Sequence, residues 1–396
     1  MTAVRPIFLM ALSLLAAAGG PALAQAPECG SDFETWRAAI ADEARAAGVG
    51  ETGLAALAST DIDTRVLARD RGQVVFTQVF NEFAGRMISD YRLKQGAANL
   101  KKHAAVFDRA RAEYGVPAAV IAAFWALETD FGAVQGDFGT LAALVTLGHD
   151  CRRPELFRPQ IVPLLKLIDR GDLPADVTGA WAGEVGQTQM LPSDILVRGI
   201  DGDGDGHVDI RGSAADVIMT TANKINHRGW KPNQPWLLEV RVPDDMPWDQ
   251  TGRTNKLPIS QWNDWGVTDR DGNALPDDGL MAGLILPMGR KGPAFLGYEN
   301  YDVYLQWNQS ATYALTAGVL ATRLDGAPAY DTRDPEPGLV GDAMKNLQQK
   351  LVEKGYDVGR VDGILGVNTR EAVRQEQMRL GLPVDGWPTT VLLGMI

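Results

Sequence analysis

Twelve consecutive residues, Val116–Leu127, carry no charge, and the next residue is a glutamate. Pro117 follows Gly115 and suits the first position of a helix, where its missing N–H would go unbonded anyway. Thr129, Asp130 and Phe131 lead to Gly132, a helix breaker. Ile121, Phe124 and Trp125 precede Glu128 by seven, four and three residues, and Phe131 follows it by three, so a helix gives them a common face. If that helix is buried, desolvation holds the Glu128 carboxyl protonated near neutral pH. A general acid for glycosidic cleavage needs that state. On spacing alone, a helix-terminal glutamate turned to solvent is the alternative. Asp130 lies on another face, so the local sequence supplies no second carboxylate of the kind ordinary glycosidases use.

The chain has 396 residues, enough for two or three domains with a sizeable core. Its 45% apolar and 22% charged residues argue for a folded globular protein. A net charge of −12 makes a nucleic-acid partner unexpected. Four histidines, two cysteines and no HExxH or CxxC leave little scope for zinc or iron–sulfur chemistry, and no cofactor is expected for the reaction.

Residues 1–24 read as a signal peptide, with Arg5, an apolar run Ile7–Ala18 and a small-x-small site at Ala22-Leu23-Ala24. An uncleaved anchor is the alternative, but twelve residues are too few to span a bilayer. No other run is long enough to do so, and a soluble, periplasmic and monomeric protein is expected. Cys29 follows Ala26-Pro27-Glu28, which is not the pattern that precedes a lipidated cysteine. In an exported chain, Cys29 and Cys151 are expected to form a disulfide, with two buried free thiols as the alternative.

Residues 31 to about 115 read as helical: Phe33, Trp36 and Ile40 recur at helical spacing, as do Val75, Phe76, Val79, Phe80 and Phe83. Apolar helical runs alternate with glycine-rich turns over 116–230. Over 236–310 prolines and tryptophans multiply, and Leu237–Val242 and Tyr301–Trp307 look like strands. Prolines 328, 335 and 337 mark an exposed linker, 327–338, between a body at 25–326 and a small unit at 339–396. That unit has two amphipathic helical stretches, around Met344, Leu347 and Leu351 and around Ala372 and Val373, and two similar turns, Arg360-Val361-Asp362-Gly363 and Pro383-Val384-Asp385-Gly386. With no His or Cys it reads as a binding module. Gly355-Tyr356-Asp357-Val358-Gly359, Asp362-Gly363, Gly366, Thr369 and Gly381–Gly386 resemble the peptidoglycan-binding domain type 1, a three-helix module.

Tyr114-Gly115-Val116-Pro117 and Ala126-Leu127-Glu128-Thr129-Asp130-Phe131-Gly132 resemble the signature of lytic murein transglycosylases of the membrane-bound B type (glycoside hydrolase family 103). Cys151-Arg152-Arg153-Pro154, Trp181–Gln189, Leu191-Pro192-Ser193, Gly229-Trp230, Gly289–Phe295 and Trp307-Asn308-Gln309-Ser310 extend the resemblance in the family's order over roughly 31–326. It implies a mainly α (α+β), lysozyme-like catalytic domain with a small mixed segment. It also implies that one glutamate, Glu128, works alone on peptidoglycan. The acid protonates the oxygen between N-acetylmuramic acid and N-acetylglucosamine, the substrate's acetamido oxygen stabilises the developing cation, and the C6 hydroxyl closes a 1,6-anhydro ring. The same resemblance places Arg152, Arg153, Gln189, Trp307, Asn308 and Tyr313 in the substrate cleft. For the arginines a solvated helix end is the alternative, and for Trp307, expected to stack a sugar, a core position. The chain departs from the family pattern at Ala180, where a serine is usual, at Met190-Leu191-Pro192, and at Lys224, where a tyrosine is common.

Asp201-Gly202-Asp203-Gly204-Asp205-Gly206-His207-Val208-Asp209 puts carboxylates at positions 1, 3, 5 and 9 of a calcium loop, with glycine at position 6. His207 would offer its carbonyl, and Asp216 would replace the glutamate absent at position 12. A structural Ca2+ with no part in the chemistry is expected; a solvated acidic turn is the alternative. For the whole chain, a non-catalytic murein-binding protein and a muramidase that adds water are the competing functions.

Overall fold

The computed structural model of the chain describes residues 28–72 and 78–396. The expected leader, and Val75 and Phe76 of the helical pattern, lie outside the described residues.

The body is helical from its start. Phe33–Ala46, Glu51–Ala58, Thr64–Arg71, Phe80–Met87, Asp90–Lys102 and Ala104–Tyr114 are helices, in agreement with the periodicity of this region. Three of them open on a side-chain cap: Asp32, Asp63 and Ser89 each accept from a main-chain N–H of the first turn. The uncharged run forms the helix Ala118–Thr129, with Pro117 just outside its first turn. Because no face is polar, it can sit only where it is covered on all sides, and residues 119–127 are all buried. Ala311–Leu324, also largely apolar, packs along it. These two helices with Ala214–His227 and Glu299–Trp307 form one core. A second core joins the N-terminal helices to Thr140–His149 and Ile161–Asp169.

The mixed segment is a five-stranded antiparallel sheet in the order Leu257–Pro258, Met281–Ile285, Ala294–Gly297, Leu237–Arg241, Thr268–Asp269. Leu237–Arg241 matches the expected strand. Tyr301–Trp307 does not: it lies in the helix Glu299–Trp307. Tyr301, Tyr304 and Trp307 recur every third residue, and as a helix they line up against Phe124 and the first core. Packing, rather than the β propensity of aromatic residues, decides this segment.

The last unit has three helices, Gly341–Glu353, Val367–Arg379 and Thr390–Met395, around their own core. Its two similar turns are held alike. Gln348 Oε1 accepts from the Gly363 N–H and Gln377 Oε1 from the Gly386 N–H, both at 2.8 Å. The stretch 327–338, expected to be an exposed linker, is largely exposed but strapped to the body. Tyr330 packs on Phe80 and Phe295, and the Asp331 N–H donates to Glu239. The three-helix unit sits on the sheet lobe: Arg370 donates to the carbonyls of Leu286 and Pro287, and Arg374 to that of Asp249.

Candidate active site

Glu128 occupies the last turn of the central helix and is half-buried. The chain then turns sharply, with Asp130, Phe131 and Gly132 all at positive φ (51°, 60° and 87°). Such backbone costs energy for Asp and Phe and must be held by its surroundings. Thr129 Oγ1 donates to the Gln187 carbonyl at 2.5 Å and accepts from the Gly132 N–H at 2.8 Å. Arg92 Nε donates to Asp130 at 2.7 Å and to the Ala126 carbonyl at 3.2 Å, which also accepts from the Asp130 N–H. Gln187 Oε1 accepts from the Trp125 indole. A Cβ on Gly132 would come within 2.4 Å of that same amide oxygen, so only glycine fits.

Two donors meet one oxygen of the acid. Tyr313 Oη donates to Glu128 Oε1 at 2.5 Å and Trp307 Nε1 at 2.9 Å. Burial pushes the Glu128 carboxyl above its ordinary range, against the pull of these two bonds and of Lys224, while Glu184 adds to the rise. Burial also pushes the Tyr313 hydroxyl well up, so it remains a donor. An indole N–H can only donate, so Oε1 serves as acceptor, and in the acid form the proton belongs on Oε2. Among the described residues none hydrogen-bonds Oε2.

Of the residues expected in the cleft, Trp307 and Tyr313 therefore gather on Glu128. The Trp307 ring also stacks on Phe124, centroids 4.3 Å apart, so part of its surface belongs to the core. Asn308 Oδ1 accepts from the Ser310 N–H at the start of the next helix. Gln189, at φ 47°, donates to the carbonyls of Gln135 and Gly186. Arg152 and Arg153 are both engaged by Asp70, which is 1% exposed and held below the usual carboxylate range. Their guanidiniums neutralise a buried charge on Thr64–Arg71, 82 and 83 residues away in sequence. Just before them, Cys29 and Cys151 are disulfide-bonded, with Cα atoms 5.1 Å apart.

The acidic loop brings together Asp201, Asp203 and Asp205, whose carboxylate oxygens lie within 4.8 Å of one another. Hard oxygen donors at this closeness suit Ca2+. These carboxylates also bond locally: Asp201 accepts from the N–H groups of Gly204 and Gly206, and Ser213 Oγ donates to both Asp203 and Asp216. Asp209 Oδ1 accepts from the Arg211 and Gly212 N–H groups, and buried Asp216 accepts from the N–H groups of Gly202 and Asp209. The His207 ring lies 3.6 Å from Asp172.

The sequence alone assigns no part to Gln187, Glu184, Arg92 or Asp70: the first two lie within Trp181–Gln189, and Arg92 and Asp70 have no local signature.

A mainly helical body with a glutamate in the last turn of its buried central helix defines the class: the lysozyme-like transglycosylase fold. More particularly, the chain belongs to the Transglycosylase SLT domain family, whose model matches residues 32–322, and residues 340–396 match the peptidoglycan binding domain. It is 28% identical over 232 residues to the membrane-bound lytic murein transglycosylase B of Escherichia coli, a match that covers 58% of this chain and 63% of that protein's length, less than two thirds. The crystal structure of SltB3 from Pseudomonas aeruginosa with NAG-anhNAM-pentapeptide is similar over 92% of this chain and 99% of that one, at 36% identity and a TM-score of 0.85. The soluble lytic transglycosylase SltB1 of the same organism is similar over 74% of this chain and 99% of that one, at 27% identity and a TM-score of 0.64.

Proposed function

We propose that the protein is a lytic transglycosylase that cleaves the β-1,4 bond between N-acetylmuramic acid and N-acetylglucosamine and leaves 1,6-anhydromuramic ends. The observation that carries this reading is the pair of donors on Glu128 Oε1. They leave the proton on Oε2 for the glycosidic oxygen, and they hold the carboxylate once that proton has gone. The C–O bond breaks as the leaving sugar takes the proton. The substrate's own acetamido oxygen supports the positive charge at C1. The Glu128 carboxylate then removes the proton of the C6 hydroxyl, whose oxygen bonds to C1, and the acid is regenerated with no water consumed. Arg152, Arg153, Gln189 and Asn308 would border the glycan or its peptide, with the arginines kept in place by Asp70.

The test is mass spectrometry of murein digested by wild type and Glu128→Gln. Anhydro products, one water lighter than hydrolytic ones, are expected from wild type, and a loss of ~10^3-fold in rate from the variant. Hydrated products would make the protein a muramidase. Binding without cleavage by wild type would make it a murein-binding protein.

The same reading places the protein in the periplasm, exported by residues 1–24, where an oxidised Cys29–Cys151 bond persists. The three-helix unit would hold murein near the cleft and raise its local concentration. Asp201, Asp203 and Asp205 would hold Ca2+ to stiffen the loop ahead of Ala214–His227, with no role in proton transfer.

A further inference from the structure

Lys224 is a buried cation beside the acid that the chemistry above does not use. It projects from Ala214–His227 and is 6% exposed. An ammonium taken out of water this far requires partners. Asp194 Oδ2, on Pro192–Arg198, lies 3.0 Å from its Nζ. Its Nζ also sits 4.4 Å from the centroid of the Trp307 ring, and the N–H of that ring is bonded to Glu128. One cation thus contacts the π-face of the very indole that holds the acid, and it does so where little solvent screens it.

We propose that Lys224 is a positioning residue of the transglycosylase reaction, its ammonium fixing the Trp307 indole and setting the charge environment in which Glu128 releases and recovers its proton. This rests on the reading of Glu128 as the acid.

The groups that face Lys224 give the sign. From the central helix comes Glu128, and from the 180–190 segment Glu184, a carboxyl also pushed up by burial. Pro192–Arg198 contributes Asp194, which is also paired with Arg198, and the helix of Lys224 itself ends at Arg228, 4.0 Å from Asp194. Burial pulls the Lys224 ammonium down, Asp194 and Glu128 hold it up, and Arg228 opposes them. While charged, Lys224 favours the carboxylate form of Glu128 and so assists the first half of the reaction, in which the acid gives its proton to the glycosidic oxygen. It also restrains how far burial pushes the acid up. Without the cation, Glu128 keeps its proton to higher pH and is a weaker acid toward the glycosidic oxygen.

The experiment is the pH profile of anhydro-product formation from a soluble muropeptide substrate, measured as kcat and kcat/KM, for wild type, Lys224→Met, Lys224→Gln and Lys224→Arg. With Lys224→Met, the alkaline limb of kcat/KM is expected to move up by on the order of one pH unit. The plateau of kcat should fall several-fold. Lys224→Gln, which keeps an amide donor for Asp194, is expected to do the same and serves if the methionine variant fails to fold. Lys224→Arg is expected to hold the limb near the wild-type position. A loss of rate uniform across pH, or a limb shared by wild type and both neutral variants, would overturn the proposal and reduce Lys224 to a packing residue. Failure of the underlying reading looks different: Glu128→Gln would retain activity, or wild type would release only hydrated products.

Discussion

Burial raises the Glu128 carboxyl, and two side chains far away in the chain, Tyr313 and Trp307, pull it back. Glu128 itself was legible, because an uncharged run that ends in a glutamate has few places to go except into the core, with its carboxyl at the edge. Its partners were legible only through the family's motifs, since no local pattern connects residues 179 and 185 positions apart. Arg152 and Arg153 show the same limit from the other side. As letters they are two free cations, yet a buried aspartate on a distant helix occupies both. The Tyr313 hydroxyl offers a sharp test. It favours the Glu128 carboxylate, while burial favours the acid. Since the acid form is the one that protonates the glycosidic oxygen, activity is present below the folded-state pKa of Glu128 and falls as pH rises through it. Tyr313→Phe removes a bond to the charged form, so the alkaline limb should move to higher pH. Loss of a bond of this kind costs about 1.5–3 kcal/mol, or roughly 10- to 100-fold in kcat. A limb at the wild-type pH with unchanged kcat would show that the hydroxyl does not bear on the acid.

The turn that ends the central helix matters as much as the helix. Helix and breaker were both visible in the sequence, but the three successive left-handed residues were not, because Asp130 and Phe131 seldom adopt that conformation without outside support. That support comes from Thr129, Gln187 and Arg92. Gly132→Ala adds a Cβ at φ 87° against the Gln187 amide, and should lower the unfolding free energy by about 1–3 kcal/mol in urea. Activity should fall further than stability, because Glu128 lies four residues away on the same turn. Glu299–Trp307 teaches a related lesson. Tyr301–Trp307 read as a strand because aromatic residues favour strands, whereas their three-residue recurrence is what Phe124 and the first core select. The Asp201–Asp209 loop was legible as a turn with converging carboxylates, although Asp209 and Asp216 are spent on main-chain N–H groups. Calcium should raise the thermal midpoint, as any ligand selective for the folded state does. Asp203→Asn with Asp205→Asn should remove that rise, as seen in calorimetry with and without chelator, while the acid's pH profile stays in place.

At the scale of the molecule, the surprise is how the last unit is attached. Its helices and paired Asp-Gly turns could be read from the sequence, and the proline-marked connection reads as an exposed linker. Its docking could not be read, because Arg370 and Arg374 bind main-chain carbonyls, which every residue possesses and no sequence pattern distinguishes. Arg370 is half-buried between the two parts, and burial pushes its guanidinium down to about 10. A cation so placed is retained by the carbonyls of Leu286, Pro287 and Gly386 and by the face of Trp387. The body answers with the Arg290 N–H, which donates to Asp385 of the second Asp-Gly turn. A unit held in this way presents murein to the cleft from one direction, whereas a free tether samples many. Arg370→Ala together with Arg374→Ala leaves those carbonyls without donors, at a cost of about 1–3 kcal/mol for each unmet group, which is enough to release a contact of this size without unfolding either part. The strap at 327–338 should then be cut by protease where the wild type resists, and the radius of gyration in solution should increase. Cleavage of soluble muropeptides should continue, since the cleft lies in the body, while digestion of whole sacculi should slow. An unchanged radius of gyration together with a resistant strap would mean that Tyr330 and the Trp387 contacts suffice, and that the two arginines are incidental to the docking.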